Sequence, residues 1–273
     1  NHPARGLEHF ALLRRLDEMG MNSVEVPRLE QGERPSRYPV FIRMEDYSWG
    51  PETGLLETPE QLDGAISRFQ ASSRPMKRRI AVTFEGRRDA AGYYRKYGAF
   101  RIGGAVVPQH ILRNMDWNVK SSTSSIDPDF VREELAFVQD NPHADALLRV
   151  CDAGHIQFGR VDYTVRDDSL VIFEVNPNPT FPRFKGGSAD REERRGHIIA
   201  GLRSAFAAID SAGEGRADFV PPAGSRRHIQ SGRWMKPTRL LWKARLGRRM
   251  KMLAQAVVPG RRGGDEMEAL GTH

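Results

Sequence analysis

Residues Gly159–Phe181 read G-R-V-D-Y-T-V-R-D-D-S-L-V-I-F-E-V-N-P-N-P-T-F, and the architecture follows from them. Apolar residues recur at every second position on both sides of an acidic turn: Val161, Tyr163 and Val165, then Val171, Phe173 and Val175. Alternation of β-branched and aromatic residues with period two is typical of half-buried strands. The pattern therefore predicts an antiparallel hairpin with its odd-numbered residues in the core.

The register of this hairpin depends on the length of its turn. A two-residue turn at residues 167–168 would set the apolar face of one strand against the polar face of the other. A three-residue loop, Asp167–Ser169, keeps the apolar face continuous and pairs Asp162 with Glu174. Because a slip of one residue turns every side chain over, the apolar pattern predicts the three-residue loop.

Two carboxylates face each other in this register. Directly opposed residues have Cβ atoms about 5 Å apart, so Asp162 and Glu174 would repel each other unless a cation lies between them. With the amide of Asn176 they form an all-oxygen set suited to Mg²⁺, which takes one or two carboxylates and completes its octahedron with water and phosphate oxygens. Either carboxylate alone is typical of a solvated hairpin face, but the pair followed by N-P-N-P favours a metal site.

The runs G-R-V-D-Y and I-F-E-V-N-P-N-P-T resemble the closing hairpin of the ATP-grasp superfamily, whose members bind Mg²⁺ through an Asp, a Glu and an Asn two residues later. The resemblance implies that Asp162, Glu174 and Asn176 are metal ligands, for Mg²⁺ or alternatively Mn²⁺. It also places Arg160 and Asn178 where members contact phosphate or substrate. The implied fold is α+β, with two lobes that clamp ATP.

Other segments match the nucleotide-binding parts of the same superfamily. Y-P-V-F-I-R predicts a strand that ends in Arg43, where members usually have Lys, and a loop and a helix capped by Thr58 follow it. By resemblance this strand and loop cover the phosphates of ATP. R-I-A-V-T-F-E predicts a strand leading to the adenine-binding segment, with Phe84 beside the nucleotide and Glu85 as the acidic residue for the ribose.

Residues 93–110 predict a second hairpin, with its turn at Gly103-Gly104. Superfamily members carry basic residues on this hairpin, so the resemblance implies that Lys96 and Arg101 lie over the triphosphate. His110 and the run W-N-V-K-S, residues 117–121, resemble the segment where members meet their substrate. A histidine after a strand is more often an ordinary surface or hydrogen-bonded residue than a base.

The composition limits the class of protein and the compartment in which it is expected. The chain has 273 residues and one cysteine, Cys151, which excludes an internal disulfide and fits a reducing cytoplasm. Cys151 lies in a helical pattern, which favours a buried residue over a nucleophile. No apolar run approaches the roughly 20 residues of a membrane span, and no signal peptide is recognisable. We expect a cytoplasmic protein.

The net charge of +7 is unevenly distributed, because 12 of the 42 Lys and Arg lie in residues 226–262, which contain no Asp or Glu. We interpret residues 1–37 as the end of a preceding α/β domain, 38–212 as the ATP-grasp domain, and 213–273 as a linker and basic amphipathic tail. Three partners fit this tail: the body of the protein or a second subunit, an anionic membrane surface, and nucleic acid. We rank docking on protein first, and no specific nucleic-acid motif is present.

The resemblance implies an ATP- and Mg²⁺-dependent ligase. Such an enzyme activates a carboxylate as an acyl phosphate, which an amine or similar nucleophile then attacks, so both substrates would be small molecules. Arg160, Lys96 and Arg101 would stabilise charge on the transferred phosphoryl group. Two alternatives remain open: a kinase that phosphorylates a hydroxyl, and a non-catalytic nucleotide-binding scaffold that acts through the tail. Fold alone does not decide between them.

Overall fold

The structure is a computed structural model that describes residues 1, 5–45, 50–121, 124–179, 181 and 188–210. All of them belong to one compact unit, Asn1–Ala212. The predicted basic tail lies outside the described residues, as does the loop containing Arg183 and Lys185, which the sequence suggests as a lining of the site.

Five α-helices fall within the described residues: α1 (His9–Glu18), α2 (Pro59–Ala71), α3 (Pro128–Asp140), α4 (Ala144–Ala153) and α5 (Ala189–Ile209). The predicted cap of α2 is confirmed, because the Thr58 hydroxyl accepts a hydrogen bond from the Gln61 backbone N–H at 3.3 Å. The Gln61 side chain accepts in turn from the Glu57 backbone N–H at 2.7 Å. Reciprocal bonds of this kind satisfy backbone groups that the first helical turn leaves open.

In the described part of the chain, six strands form two antiparallel sheets: β1 (Val40–Met44), β2 (Arg79–Thr83), β3 (Tyr94–Ile102), β4 (Ala105–Asn114), β5 (Phe158–Arg166) and β6 (Ser169–Asn176). Strands β1 and β2 pair with each other, and the other four have the order β4-β3-β5-β6. Separate helices and antiparallel strands make the fold α+β, as predicted from the sequence.

Among the described residues, three buried hydrophobic clusters hold these layers together. One face of the larger sheet packs against α1 and α4, and the other face packs partly against α3 and α5. A third cluster joins β1 and β2 to α2. The N-terminal residues 10–26 belong to the first cluster, together with the larger sheet. The sheets therefore belong to a smaller and a larger lobe, and the assignment of residues 1–37 to a preceding domain stays a prediction.

The sequence N-S-V-E-V, residues 22–26, also predicts a short strand, and this prediction is wrong, although the backbone there does bond to β2. The Thr83 backbone N–H donates to Glu25 O at 3.1 Å, but the ladder does not continue far enough to form a strand. The Asn22 side chain instead pairs with β6, accepting from the Ile172 N–H at 3.0 Å and donating to Ile172 O at 3.1 Å. The amide side chain thereby makes the two backbone hydrogen bonds that a residue of a neighbouring strand would make.

The hairpin of β5 and β6 confirms the predicted pairing of Asp162 with Glu174, but the predicted turn is wrong. The turn has two residues, Asp167 and Asp168, both at positive φ (48° and 61°), and Arg166 pairs with Ser169. A bulge makes the two findings compatible. With a regular two-residue turn, Asp162 would pair with Phe173. The register instead shifts after Asp162, so Phe173 is an extra residue without a partner on β5, and Asp162 pairs with Glu174.

The bulge also changes which side chains are buried. Ile172 is fully buried, whereas Phe173, predicted to point into the core, is only half-buried and lines the cleft between the lobes. Cys151 is buried as expected, and burial raises the pKa of its thiol to about 12. Within the part of the chain that the structure describes, no helix has both the length and the apolar character needed to cross a membrane.

The turn gives the first testable prediction. Both turn residues have left-handed backbone, which costs a residue with a Cβ about 1 kcal/mol more than it costs glycine. Asp168→Gly should therefore raise the free energy of unfolding by roughly 0.5–1 kcal/mol, measured by thermal or urea denaturation. The matched variant Ser169→Gly places glycine inside β6, where it should lower stability by a similar amount. If Ser169→Gly stabilised the protein and Asp168→Gly did not, the three-residue loop would be correct.

Candidate functional site

The larger sheet brings four residues side by side on one face. The three ladders of the sheet pair His110 with Gly98, Gly98 with Asp162, and Asp162 with Glu174. Paired residues point to the same face, and neighbouring strands lie about 4.8 Å apart. The four positions, His110, Gly98, Asp162 and Glu174, therefore form a continuous row across all four strands, which we call the central row.

Basic residues flank the central row along the strands. Lys96 precedes Gly98 by two positions on β3, and Arg160 precedes Asp162 by two positions on β5, where it pairs with Phe100 and Asn176. Successive residues on one face of a strand are about 7 Å apart. Because β3 and β5 are antiparallel, Lys96 and Arg160 lie on opposite sides of the row.

Both of these cations contact Asp162. Its carboxylate accepts hydrogen bonds from Lys96 Nζ at 3.2 Å and from Arg160 Nε at 2.7 Å, and only 5% of its side chain is exposed. Burial on its own raises the pKa of a carboxyl group, but the charges of Lys96 and Arg160 overcome this effect and hold the pKa of Asp162 below its ordinary value. Asp162 is therefore an anion at neutral pH.

Glu174 has a cation of its own from the smaller lobe. Both terminal nitrogens of Arg43 approach Glu174 Oε2, at 3.3 and 3.4 Å. Arg43 lies on β1, so this ion pair links the two lobes. The pair also borders a second cavity of about 350 Å³, which Asn176 lines, whereas the described lining of the main cleft does not include Asn176.

The main cleft has a volume of about 470 Å³ and lies between the two lobes. Four aromatic side chains line one end of it, with ring centroids 5.2 Å apart for Phe41 and Trp117, 5.4 Å for Phe84 and Trp117, and 5.5 Å for Phe84 and Tyr94. We call these rings the aromatic end. The central row and its flanking cations form the other, charged end. A flat apolar group attached to an anion would match this polarity.

The donor set fits a divalent hard cation. Asp162 and Glu174 supply two adjacent carboxylates, which is the number that Mg²⁺ usually takes from a protein. The Asn176 Oδ1 atom already accepts from the Asn178 backbone N–H at 2.9 Å, and an amide oxygen has a second lone pair for a metal. No group of three or more His, Cys, Asp or Glu suited to a metal occurs among the described residues, so any Mg²⁺ here would depend on amide, water or phosphate oxygens as well.

Arg101 is the first of the predicted site residues that the structure places elsewhere. Its guanidinium donates to Leu148 O at 3.3 Å and pairs with Asp152 at 3.0 Å, both on α4, so it lies on the opposite face of the sheet from Lys96. The two residues are five positions apart on β3, and an odd spacing on a regular strand separates faces. The register shift between β3 and β4 comes from an extra residue on β4, Gln109, so it does not alter the alternation of faces along β3.

Glu85 and Asn178 also lie outside the described lining of the cleft, so their predicted contacts with the nucleotide need correction. The Glu85 carboxylate pairs with Arg37 at 3.0 Å and with Arg166, because it follows β2 on the side away from the aromatic end. Asn178 is exposed beyond the end of β6. Phe84, by contrast, lies in the cleft as predicted.

Sequence reasoning missed Phe41 as a residue that lines the cleft, and it did not identify the ring partners of Trp117. Phe41 shares a face of β1 with Arg43, and this two-residue spacing was the signal that could have found it. Trp117 and Lys120 lie in a loop after β4 that was expected to meet substrate, and the structure brings both to the cleft. Nothing in their local pattern identifies the ring partners of Trp117, because these lie on β1 and beyond β2.

No protein-family model matches the chain, and no curated protein matches it. Solved structures do match. One is an L-amino acid ligase from Bacillus licheniformis, with 15% identity, 61% of this chain and 39% of that chain covered, and a TM-score of 0.36. A second is a D-alanine–D-alanine ligase from Bacillus anthracis, with 15% identity, coverages of 72% and 68%, and a TM-score of 0.39. A third is an ATP-grasp RimK-domain protein from Sphaerobacter thermophilus, with 16% identity, coverages of 72% and 65%, and a TM-score of 0.40.

These matched structures are ATP-grasp ligases, the superfamily that the hairpin sequence resembles. The chain spans about two fifths of the L-amino acid ligase and about two thirds of the other two proteins.

The placement of Arg101 gives the second prediction. Arg101→Met should lower the free energy of unfolding by about 1–3 kcal/mol, because it removes charge-assisted bonds from a side chain that is 9% exposed. It should leave the affinity for Mg²⁺·ATP within about twofold, measured by calorimetry, since the guanidinium lies behind the sheet. Arg132→Met is the control, because Arg132 is 62% exposed and its pair with Asp129 contributes little. A large loss of nucleotide affinity in Arg101→Met would contradict this placement.

Proposed function

We propose that this protein is an ATP- and Mg²⁺-dependent ligase that activates a carboxylate for attack by an amine or a similar nucleophile. One observation supports this most strongly: a single cleft has a cluster of edge-to-face and tilted aromatic rings at one end and two opposed, cation-flanked carboxylates at the other. The resemblance of the hairpin sequence to the ATP-grasp superfamily supplies the reaction class.

The aromatic end offers the adenine ring a binding surface. Phe41, Phe84 and Trp117 present ring faces and edges within one cluster, which favours a flat heteroaromatic group over a flexible one. Tyr94 begins β3, and Gly98 in the central row is four residues further along, about 14 Å away. A nucleotide whose base lies on the rings would therefore extend its phosphates toward the central row.

The charged end would hold the phosphates and the metal. Lys96 and Arg160 approach from opposite sides of the central row, so they can contact phosphate oxygens while they remain close to Asp162. Asp162 and Glu174, with Asn176, are the residues that would hold Mg²⁺, which when bound offsets the negative charge of the phosphates. Arg43 would contribute a further cation from the smaller lobe.

The proposed chemistry needs no nucleophile from the protein. An oxygen of the substrate carboxylate attacks the γ-phosphorus, the bond from this phosphorus to the ADP oxygen breaks, and an acyl phosphate forms. The nitrogen of the second substrate then attacks the acyl carbon and loses a proton to solvent, and inorganic phosphate leaves as the amide bond forms. The chain's own residues act by orientation and charge stabilisation. The buried thiol of Cys151, with its raised pKa, is consistent with this assignment.

The third prediction tests the nucleotide–metal site. Calorimetric titration of the protein with the ATP analogue AMP-PNP should show binding that requires Mg²⁺. Glu174→Gln should weaken this binding at least about tenfold, because it removes one of the two carboxylates that would hold the metal. Glu192→Gln is the control, since this exposed residue lies on α5 outside the described lining of the cleft and should bind like the wild type.

Turnover distinguishes the ligase from its alternatives. Phosphate release from ATP should depend on a carboxylate and an amine supplied together from mixed pools of small molecules. Phosphorylation of a hydroxyl compound would indicate a kinase, and binding without any turnover would indicate a nucleotide-binding scaffold. Absence of Mg²⁺-dependent nucleotide binding in the wild type would overturn the proposal as a whole.

A further inference from the structure

His110 is the one member of the central row with a polar side chain to which the proposed reaction gives no role. It lies on the edge strand β4, opposite Gly98, and its ring extends over that glycine toward the middle of the sheet. A Cβ atom at Gly98 would lie 2.7 Å from His110 Nε2 and 2.8 Å from Cε1. The ring therefore fills the space that any other residue at position 98 would use for its own side chain.

The Nε2 atom of His110 makes no hydrogen bond to any described residue of the protein. It is buried, and the residue lines the main cleft. A buried polar group without a partner costs free energy, so such groups in folded proteins call for an explanation. A ligand bound in the cleft would supply the missing partner.

The charges around the ring indicate what kind of ligand this is. Burial lowers the pKa of His110 to about 3, the negative charge of Asp162 opposes this shift, and the cations Arg160, Lys96 and Arg194 reinforce it. The imidazole is therefore neutral, with one ring nitrogen carrying a proton that it can donate. A neutral donor among cations suits an anion, because it adds a hydrogen bond without adding to the repulsion between the positive charges.

The position of the ring along the cleft indicates which phosphate of a bound nucleotide it would contact. The central row lies about 14 Å from the start of β3, where Tyr94 belongs to the aromatic end, and Lys96 lies half-way between. With the base on the rings, the first phosphates reach the level of Lys96, and the last phosphate reaches the level of Asp162, Glu174 and His110.

We propose that His110 is a nucleotide-binding residue whose Nε2–H donates a hydrogen bond to the terminal phosphate of ATP, and that Gly98 is required to give its ring room. This inference rests on the proposed function, since it assumes a nucleotide in the cleft. It goes further by making His110 a residue that distinguishes a nucleoside triphosphate from a diphosphate. The diphosphate ends before it reaches the central row and leaves Nε2 without a partner.

The test compares two nucleotides on matched variants. Dissociation constants for Mg²⁺·AMP-PNP and Mg²⁺·ADP are measured by calorimetry on the wild type, His110→Leu and His110→Gln. His110→Leu removes the donor and should weaken AMP-PNP binding about tenfold or more, which is the usual effect of losing a hydrogen bond to a charged group. It should change ADP binding by less than about twofold. His110→Gln, whose amide can donate from a similar position, should recover most of the lost affinity.

Gly98→Ala provides an independent test, because the methyl group of the new alanine should displace the His110 ring while His110 itself remains. It should reproduce the selective loss seen in His110→Leu. Thermal unfolding without nucleotide shows whether each variant is folded, and the ratio of the two dissociation constants within one variant is insensitive to a partly unfolded sample.

Two outcomes overturn the inference in distinguishable ways. If the wild type binds both nucleotides and His110→Leu changes neither constant, or both equally, the assignment of His110 is wrong and the proposed function stands. If the wild type binds neither nucleotide, the proposed function fails and this inference fails with it.

Discussion

The functional architecture depends on one constraint, the antiparallel register that sets Asp162 directly opposite Glu174. Two buried or half-buried carboxylates at this separation are unfavourable alone, and the protein surrounds them with cations: Lys96 and Arg160 on Asp162, and Arg43 on Glu174. Because Arg43 comes from the smaller lobe, the same electrostatic requirement also joins the lobes across the cleft. The register thus determines where anions and metal can bind, and which surfaces of the two lobes face each other.

Much of the fold around the Asp162–Glu174 pair could be predicted from the sequence. Alternation of apolar residues identified β5 and β6, and the predicted pairing of Asp162 with Glu174 is confirmed, although between the turn and the bulge the strands adopt the register that the apolar pattern argued against. The cap of α2 followed from local signals as well. These features share one property, which is that neighbours in the chain determine them.

The errors arose where distant parts of the chain decide the outcome. The two-residue turn is compatible with the predicted register only through a bulge at Phe173, and no residue near the turn indicates that bulge. Arg101 was assigned to the phosphates by analogy, although its odd spacing from Lys96 already separated their faces. The aromatic end combines Phe41, Phe84, Tyr94 and Trp117 from four separate segments, so only the packed lobes reveal it.

A crystal structure of the protein with Mg²⁺ and AMP-PNP would test the central claim most directly. We expect the adenine ring against Phe84 and Trp117, and one metal ion whose coordination sphere includes an oxygen of Asp162 and an oxygen of Glu174. Lys96 and Arg160 should contact phosphate oxygens in that complex. A nucleotide bound outside the cleft, or a metal ion that contacts neither carboxylate, would contradict the claim that the Asp162–Glu174 register builds a nucleotide–metal site.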